Sequence, residues 1–344
     1  MSDFPANSWL GFGLDMATAP VPLTPKEVRF SSPTTFVAAY GLELTAPHLS
    51  KAIQAIQQSK RVLLFDQSDG RPITIDGQTC SVPEAITISQ DISGGETFVT
   101  FPTGEDATLE FNSDSSLSPR LLPITGGISM MRPLANFNKS DNQYAYYCLR
   151  QPRYLATLSN YDDLFNTEIL LEAVQGLPSF NEQNDESVVA EYRKFFQTIG
   201  SHVITGVEYG SALYLSNWAP RAHPDVNDAW AENVKARYNG IPSGGHFDEN
   251  VEKTGQYKHF LDILSRKESV EGGDYELAKA LIYGLEYQTF QQWKGTDGQN
   301  SVVVFFHLVE VWTLMRTSDN IDLLRAALDL SAAYEWILKD PEWN

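Results

Sequence analysis

The residues able to do chemistry are few and do not cluster. Histidines stand at 48, 202, 223, 246, 259 and 307, and cysteines at 80 and 148 only. No histidine has another four residues on, and none shows metal-ligand spacing, so no metal centre is expected. His202 follows Ser201 directly. Neither lies in a recognisable nucleophile frame, and G-x-S-x-G, a P-loop, H-E-x-x-H and C-x-x-C are all absent. His202 is therefore expected to hold a hydrogen bond at a corner between two elements. A hydrolase would instead need a pocket bringing His202 or His307 within about 3 Å of a nucleophile. Paired carboxylates such as Asp162-Asp163 and Asp248-Glu249 are what 44 acidic against 25 basic residues produce, and they read as solvated faces. The expectation is a protein that is not an enzyme and carries no cofactor. Two cysteines in 344 residues are no disulfide framework and read as free thiols, with a single bridge as the other possibility.

The elements that position His202 are legible. Val188, Val189, Tyr192, Phe195, Phe196 and Ile199 follow helical spacing with one buried stripe. Asn184 or Asp185 can cap this helix, and Gly200 ends it, since glycine readily takes the left-handed conformation there. A strand comes next, with Val203, Val207, Tyr209, Leu213 and Leu215 on one side and Ile204, Gly206, Gly210 and Ala212 on the other.

This helix–corner–strand stretch resembles the signature of the membrane-attack-complex/perforin (MACPF) family: Tyr or Trp, six residues, an aromatic, Gly-Thr-His and an aromatic. Here Tyr192 precedes Ile199, Gly200, Ser201, His202 and Val203 with that spacing. Ile199 and Val203 replace aromatics and Ser201 replaces Thr, which keeps a hydroxyl. Leu177-Pro178, fourteen residues before Tyr192, matches the Leu-Pro that closes the preceding helix in the family. Leu10-Gly11-Phe12-Gly13 is similar to a Leu-Gly-x-Gly run near the family's first strand.

The rest of the chain falls into the same order. Residues 48–60 read as a short helix, and 61–66, 73–75, 85–92 and 97–101 as strands separated by turns. Residues 113–143 are irregular, with Pro119, Pro123 and Pro133; Tyr144–Leu149 is a strand, and 154–175 keeps helical period. Residues 217–265 are polar and loop-rich, with helical pieces at 226–238 and 257–264. Gly272-Gly273 and a helix over 275–285 come next, then Trp293, a strand from Ser301 to Trp312, and a closing helix over 319–338 capped by Asp319 or Ser318. By resemblance, 113–143 and 217–265 are the two membrane-inserting clusters, and Gly272-Gly273 is the hinge where the central sheet bends. The fold implied is α+β: a bent, mostly antiparallel central sheet flanked by two helical clusters. Residues 1–112 form a β-rich part or insertion leading into the family domain at 113–338, and 339–344 form a tail.

The resemblance implies ring assembly on membranes and pores made by refolding each cluster into a β-hairpin. Spanning strands need about 9–11 residues of alternating polarity. In the second cluster Trp230, Val234 and Tyr238 share a face, as do Phe247, Val251, Tyr257, Leu261 and Ile263. Asp228 and Glu232 interrupt the first set and Glu249, Lys253 and His259 the second, and a Lys facing lipid at mid-depth costs about 2–4 kcal/mol. The alternative is a non-lytic protein of the same fold, structural or interacting, that has lost insertion. A net charge of −19 excludes nucleic acid and simple adsorption to anionic membranes. It leaves a neutral lipid head group, or a lipid-binding partner protein, as the membrane contact. No run approaches a transmembrane helix, and the N-terminus lacks the basic and apolar regions of a signal peptide. The expected setting is cytoplasmic or non-classically released protein acting at membranes, with no C-terminal membrane-binding domain.

Overall fold

The computed structural model describes residues 2–14, 61–68, 70–75, 77–90, 92–103, 142–181, 186–220, 265–283, 287–296 and 300–339. Along the chain the strands are β1 (Ser2–Asp3), β2 (Gly13–Leu14), β3 (Gly70–Ile75), β4 (Gln78–Pro83), β5 (Ile86–Ser89), β6 (Gly95–Phe101), β7 (Asn142–Leu158), β8 (His202–Pro220), β9 (Ser265–Glu271) and β10 (Val302–Glu310). The helices are α1 (Thr167–Val174), α2 (Glu186–Ile199), α3 (Tyr275–Tyr283), α4 (Tyr287–Lys294), α5 (Val311–Arg316) and α6 (Ile321–Lys339).

The two long strands β7 and β8 pair antiparallel from Asn142↔Pro220 to Thr157↔Gly206. Each carries two short strands on its outer edge. Along β7 these are β6 (Gly95↔Arg150 to Phe101↔Tyr144) and β5 (Ile86↔Leu158 to Ser89↔Leu155). Along β8 they are β9 (Ala212↔Glu271 to Trp218↔Ser265) and β10 (Val302↔Gly210 to Glu310↔His202). The sheet thus has an upper section, β6-β7-β8-β9, and a lower section, β5-β7-β8-β10. Two register shifts lie near the junction, between Pro152 and Tyr154 on β7 and between Val303 and Phe305 on β10, and a third lies further down, where β8 has an extra residue between Ile204 and Gly206 opposite Leu308 and His307. An extra residue in one strand bends it and raises its twist, so the two shifts near the junction mark where the sheet turns. A separate small sheet has the order β1-β4-β3.

Two cores lie against the sheet, and the larger reaches into the upper section through Tyr144, Cys148 and Tyr214. In the first, Val203, Val207 and Tyr209 of β8 pack with Tyr192, Phe196 and Ile199 of α2, Trp312 of α5 and Tyr334 of α6. In the second, Leu213 and Leu215 of β8 pack with Leu281 of α3 and Phe290 and Trp293 of α4. The alternate residues expected on one side of β8 are therefore divided between two layers of helices. Cys80 and Cys148 form no disulfide and are both buried, and burial pushes the Cys148 thiol well above its ordinary range.

Several expected elements are corrected. Residues 154–175 are not one helix: β7 continues to Leu158, a 3-10 turn spans Tyr161–Leu164, and α1 covers only Thr167–Val174. Tyr154, Ala156 and Leu158 alternate, and strand partners on both edges outweigh local helical period. Residues 61–66 are not a strand; they make two isolated bridges, Arg61 with Phe12 and Leu63 with Phe165. Their backbone is taken by loops instead, with Val62 N–H donating to Gly11 O and Leu64 N–H to Leu164 O. Val311 and Trp312 belong to α5 rather than to the preceding strand. From the β-rich part expected at 1–112, β2, β5 and β6 are strands of the central sheet. The expected helix at 48–60 lies outside the described residues.

The closing helix α6 is capped by Asn320, not by Asp319 or Ser318. Its Oδ1 accepts from the N–H of Asp322 at 2.9 Å and of Leu323 at 3.3 Å. Asn320→Ala is expected to lower stability by about 1 kcal/mol, read as a fall in chemical-denaturation midpoint with unchanged slope.

Candidate functional site

The signature residues form one packed corner. Gly200 ends α2 at φ +99°, a conformation that favours glycine, and its N–H donates to Phe196 O at 2.8 Å. Ser201 and His202 come next, 0% and 2% exposed. Ser201 Oγ lies 3.0 Å from His202 Nδ1. The His202 ring sits edge-on to Trp312 and Tyr334, with centroids 5.8 Å and 5.5 Å away. Ser201 O accepts from Val311 N–H at 2.9 Å, which fixes the end of β10 and the start of α5 to the corner. The serine–histidine contact thus has the length a nucleophile–base pair would need, but both partners are sealed beneath aromatic rings. Their arrangement locks helix to strand.

Gly11 and Gly13, unspecific as a sequence motif, close the other side of this corner. β2 pairs Gly13 with Val203 and Leu14 with His202. A Cβ on Gly13 would collide with the Ile199 carbonyl, so only glycine allows β2 to lie against the end of α2. Gly11 takes φ +80° and donates its N–H to Ile204 O at 2.8 Å. No spacing rule could have found this, since the partners lie far along the chain.

Tyr192 explains the fourteen-residue interval to Leu177-Pro178. Its hydroxyl donates to Pro178 O at 2.6 Å, and its ring meets Phe180 edge-on at 5.2 Å. The tyrosine clamps the segment between α1 and α2 onto α2. Burial, with the nearby Asp329 carboxylate, pushes the phenol above its ordinary range. Burial likewise raises the Asp329 carboxyl, opposed by a hydrogen bond from the Phe180 backbone and by Arg325.

Gly272 and Gly273, expected as the hinge, lie just past β9, where β9 gives way to β10 along the edge of β8. Both have positive φ, +69° and +73°. A Cβ on Gly272 would stand 2.5 Å from Gly210 O and 3.1 Å from Ser211 Cα, so the pair rests directly on β8 at the turn of the sheet. Trp293 Nε1 donates to Gly272 O at 3.0 Å and Asn300 Nδ2 to Gly273 O at 3.2 Å. Asp274 Oδ1 caps α3 through Leu277 N–H at 2.9 Å. The expected hinge is thus a backbone crossing pinned by one buried indole and one amide.

The expected inserting residues Trp230, Val234, Tyr238, Phe247, Val251, Tyr257, Leu261 and Ile263 lie outside the described residues, as does nearly all of 113–143. The attachment points of both segments lie within them. Asn142 and Gln143 belong to β7, 217–220 to β8 and Ser265 to β9, so the connections are 104–141 and 221–264. The first joins β6 to β7 and the second joins β8 to β9. Both leave from the same end of the upper section, where Phe101 faces Tyr144, Asn142 faces Pro220 and Ser265 faces Trp218. Among the described residues no helix is long and apolar enough to cross a membrane, and no group of three His, Cys, Asp or Glu is placed to hold a metal.

Two substitutions test the corner. Tyr192→Phe removes the hydroxyl that satisfies Pro178 O and is expected to cost about 1–3 kcal/mol, measured by urea unfolding. Asp329→Asn is chosen from the sign of the carboxyl shift. A raised folded pKa means folding favours the protonated form; that contribution is full below the ordinary aspartate value of about 3.9 and lost as pH rises through the folded value. The variant is therefore expected to match the parent in acid and melt above it at neutral pH. A lower melting temperature at neutral pH would contradict this.

No protein-family model matches the chain, and no curated protein matches it. Solved structures do. GNIP1Aa from Chromobacterium piscinae is similar over 97% of this chain and 56% of its own, with 12% identity and a TM-score of 0.56. A putative cell invasion protein with a MAC/perforin domain from Bacteroides thetaiotaomicron matches 72% of this chain and 52% of its own at 11% identity and TM-score 0.40. Pneumolysin matches 63% and 40% at 13% identity and TM-score 0.30. The chain spans about half the length of the first two structures. A mostly antiparallel sheet with two segments leaving one end, a glycine pair at its turn and a likeness along nearly the whole chain amount to a MACPF/cholesterol-dependent-cytolysin-like α+β fold.

Proposed function

We propose that this chain is a perforin-like protein that oligomerises on membranes and forms pores by refolding 104–141 and 221–264 into β-hairpins. The observation that carries the reading is the attachment of both segments. Each joins two strands already paired as antiparallel neighbours, at one end of one four-stranded section. Hairpins can therefore grow as extensions of β6–β7 and β8–β9 without re-pairing the sheet. Two spanning strands of about 9–11 residues and a turn need roughly 25 residues, and each segment exceeds that. Among the described residues β6 pairs only with β7 and β9 only with β8, which leaves an edge on each side for a neighbouring copy. Joining those edges would close copies of the chain into a ring. The role is binding and refolding, not catalysis, in keeping with the sealed Ser201–His202 contact.

Membrane contact is assigned to a neutral lipid head group or to a lipid-binding partner protein, because a charge of −19 repels anionic surfaces. The second reading is a non-lytic protein of the same fold. The acidic interruptions Asp228, Glu232 and Glu249 within the apolar sets of 221–264 favour it.

The test is dye release from neutral, sterol-containing and sphingomyelin-containing vesicles, with negative-stain imaging of the same samples. Release with rings is the expected result. A cysteine pair cross-linking 221–264 to the upper sheet should abolish release until reduced. Neither release nor rings on any composition would overturn self-sufficient pore formation.

A further inference from the structure

A polar group built on one buried carboxylate lies at the turn of the sheet and takes no part in the corner or the glycine crossing. Glu208 on β8 is 8% exposed. Its Oε2 meets Arg150 Nη1 of β7 at 3.1 Å, and its Oε1 meets His307 Nε2 of β10 at 3.0 Å. The Arg150 guanidinium also lies 4.2 Å over the Phe305 ring of β10, and that ring meets His307 edge-on at 5.0 Å. Gly206 leaves room for this arrangement, since a Cβ there would stand 3.1 Å from His307 Cδ2.

The partners belong to different sections. Arg150 pairs with Gly95 of β6 and Ala212 of β8, in the upper section. Glu208 pairs with Leu155 and Phe305, in the lower one, with His307 beside it. The register shift at Pro152/Tyr154 lies between them. Ala212, opposite Arg150, is four residues from Glu208; in a straight strand that is about 13 Å. The 3.1 Å contact therefore spans the turn of the sheet.

We propose that Arg150, Glu208 and His307 form a latch that holds the central sheet in its bent state and sets the threshold for straightening. This rests on the proposed refolding at membranes. The choice of ions over apolar side chains suits the role. A buried carboxylate is costly unless its partners are in place, so three packed apolar residues would hold the bend at least as well. The ionic group behaves differently once it is broken. When the strands part, water solvates the Arg150 guanidinium and the Glu208 carboxylate and removes the drive to re-form their contact. The latch is firm while dry and self-releasing once opened.

The experiment compares the parent with Glu208→Gln, which keeps shape and removes charge, and with His307→Gln, a milder change at a half-exposed site. Amide hydrogen exchange is measured in solution, and dye release is measured on the vesicle composition the parent lyses. The expected result is exchange at least tenfold faster in β9 and β10 for Glu208→Gln, with a smaller change for His307→Gln and unchanged protection in α2. Release should be faster at equal bound protein. Exchange unchanged in β9 and β10, or accelerated equally in α2, would overturn the latch. A parent that releases no dye from any vesicle would overturn the pore reading instead, and the exchange data alone would then decide the latch.

Discussion

The structure depends on one antiparallel pairing, that of β7 with β8. It runs from Asn142↔Pro220 to Thr157↔Gly206, and every other central strand is an attachment to one of its edges. A ladder of this length would be stiff if regular. The single extra residue between Pro152 and Tyr154, opposite Gly210, breaks it into two sections without ending the pairing. Short strands then divide the edges, β6 and β9 above, β5 and β10 below. The two helical layers divide the faces in the same way, with α3 and α4 against the upper section and α2, α5 and α6 within the larger core.

What holds the break in place is mostly small or polar. Gly272 and Gly273 cross at Gly210 because no side chain intervenes, and Trp293 and Asn300 pin their carbonyls. The lower section is fixed firmly by comparison. At its far end Gly13, Ile199, Ser201 and His202 are buried, with the His202 ring edge-on to Trp312 and Tyr334. The sheet thus has a tightly packed corner at one end and a polar, glycine-rich junction in the middle.

How far this is legible in the sequence depends on whether a feature is local. The run from Tyr192 to His202 is readable because a helical stripe, a glycine stop and a strand succeed one another, and the structure places all three as α2, Gly200 and β8. The Gly272-Gly273 pair is readable as a turn, but its contact with Gly210 is not, since nothing in sequence links positions so far apart. The same holds for Gly13 against Ile199. The extension of β7 to Leu158 is hidden because Leu158, Leu164 and Phe165 imitate helical period, while the decisive partners, β5 and β8, are remote. β6 is readable as a strand but not as a member of the central sheet, which only its pairing with β7 reveals. The Arg150–Glu208–His307 group is invisible, since among 44 acidic residues one glutamate carries no mark of burial.

If the chain refolds at membranes as proposed, its two sheet sections rotate toward one continuous sheet. The most direct measurement is a spin-label distance between Thr87→Cys on β5 and Glu96→Cys on β6, both exposed positions in different sections. They pair with Thr157 and Leu149 of β7, eight residues apart, which in a straight strand is about 27 Å. A shorter distance is expected in solution, lengthening toward that value in membrane-bound, dye-releasing samples. An unchanged distance in samples that release dye would contradict it.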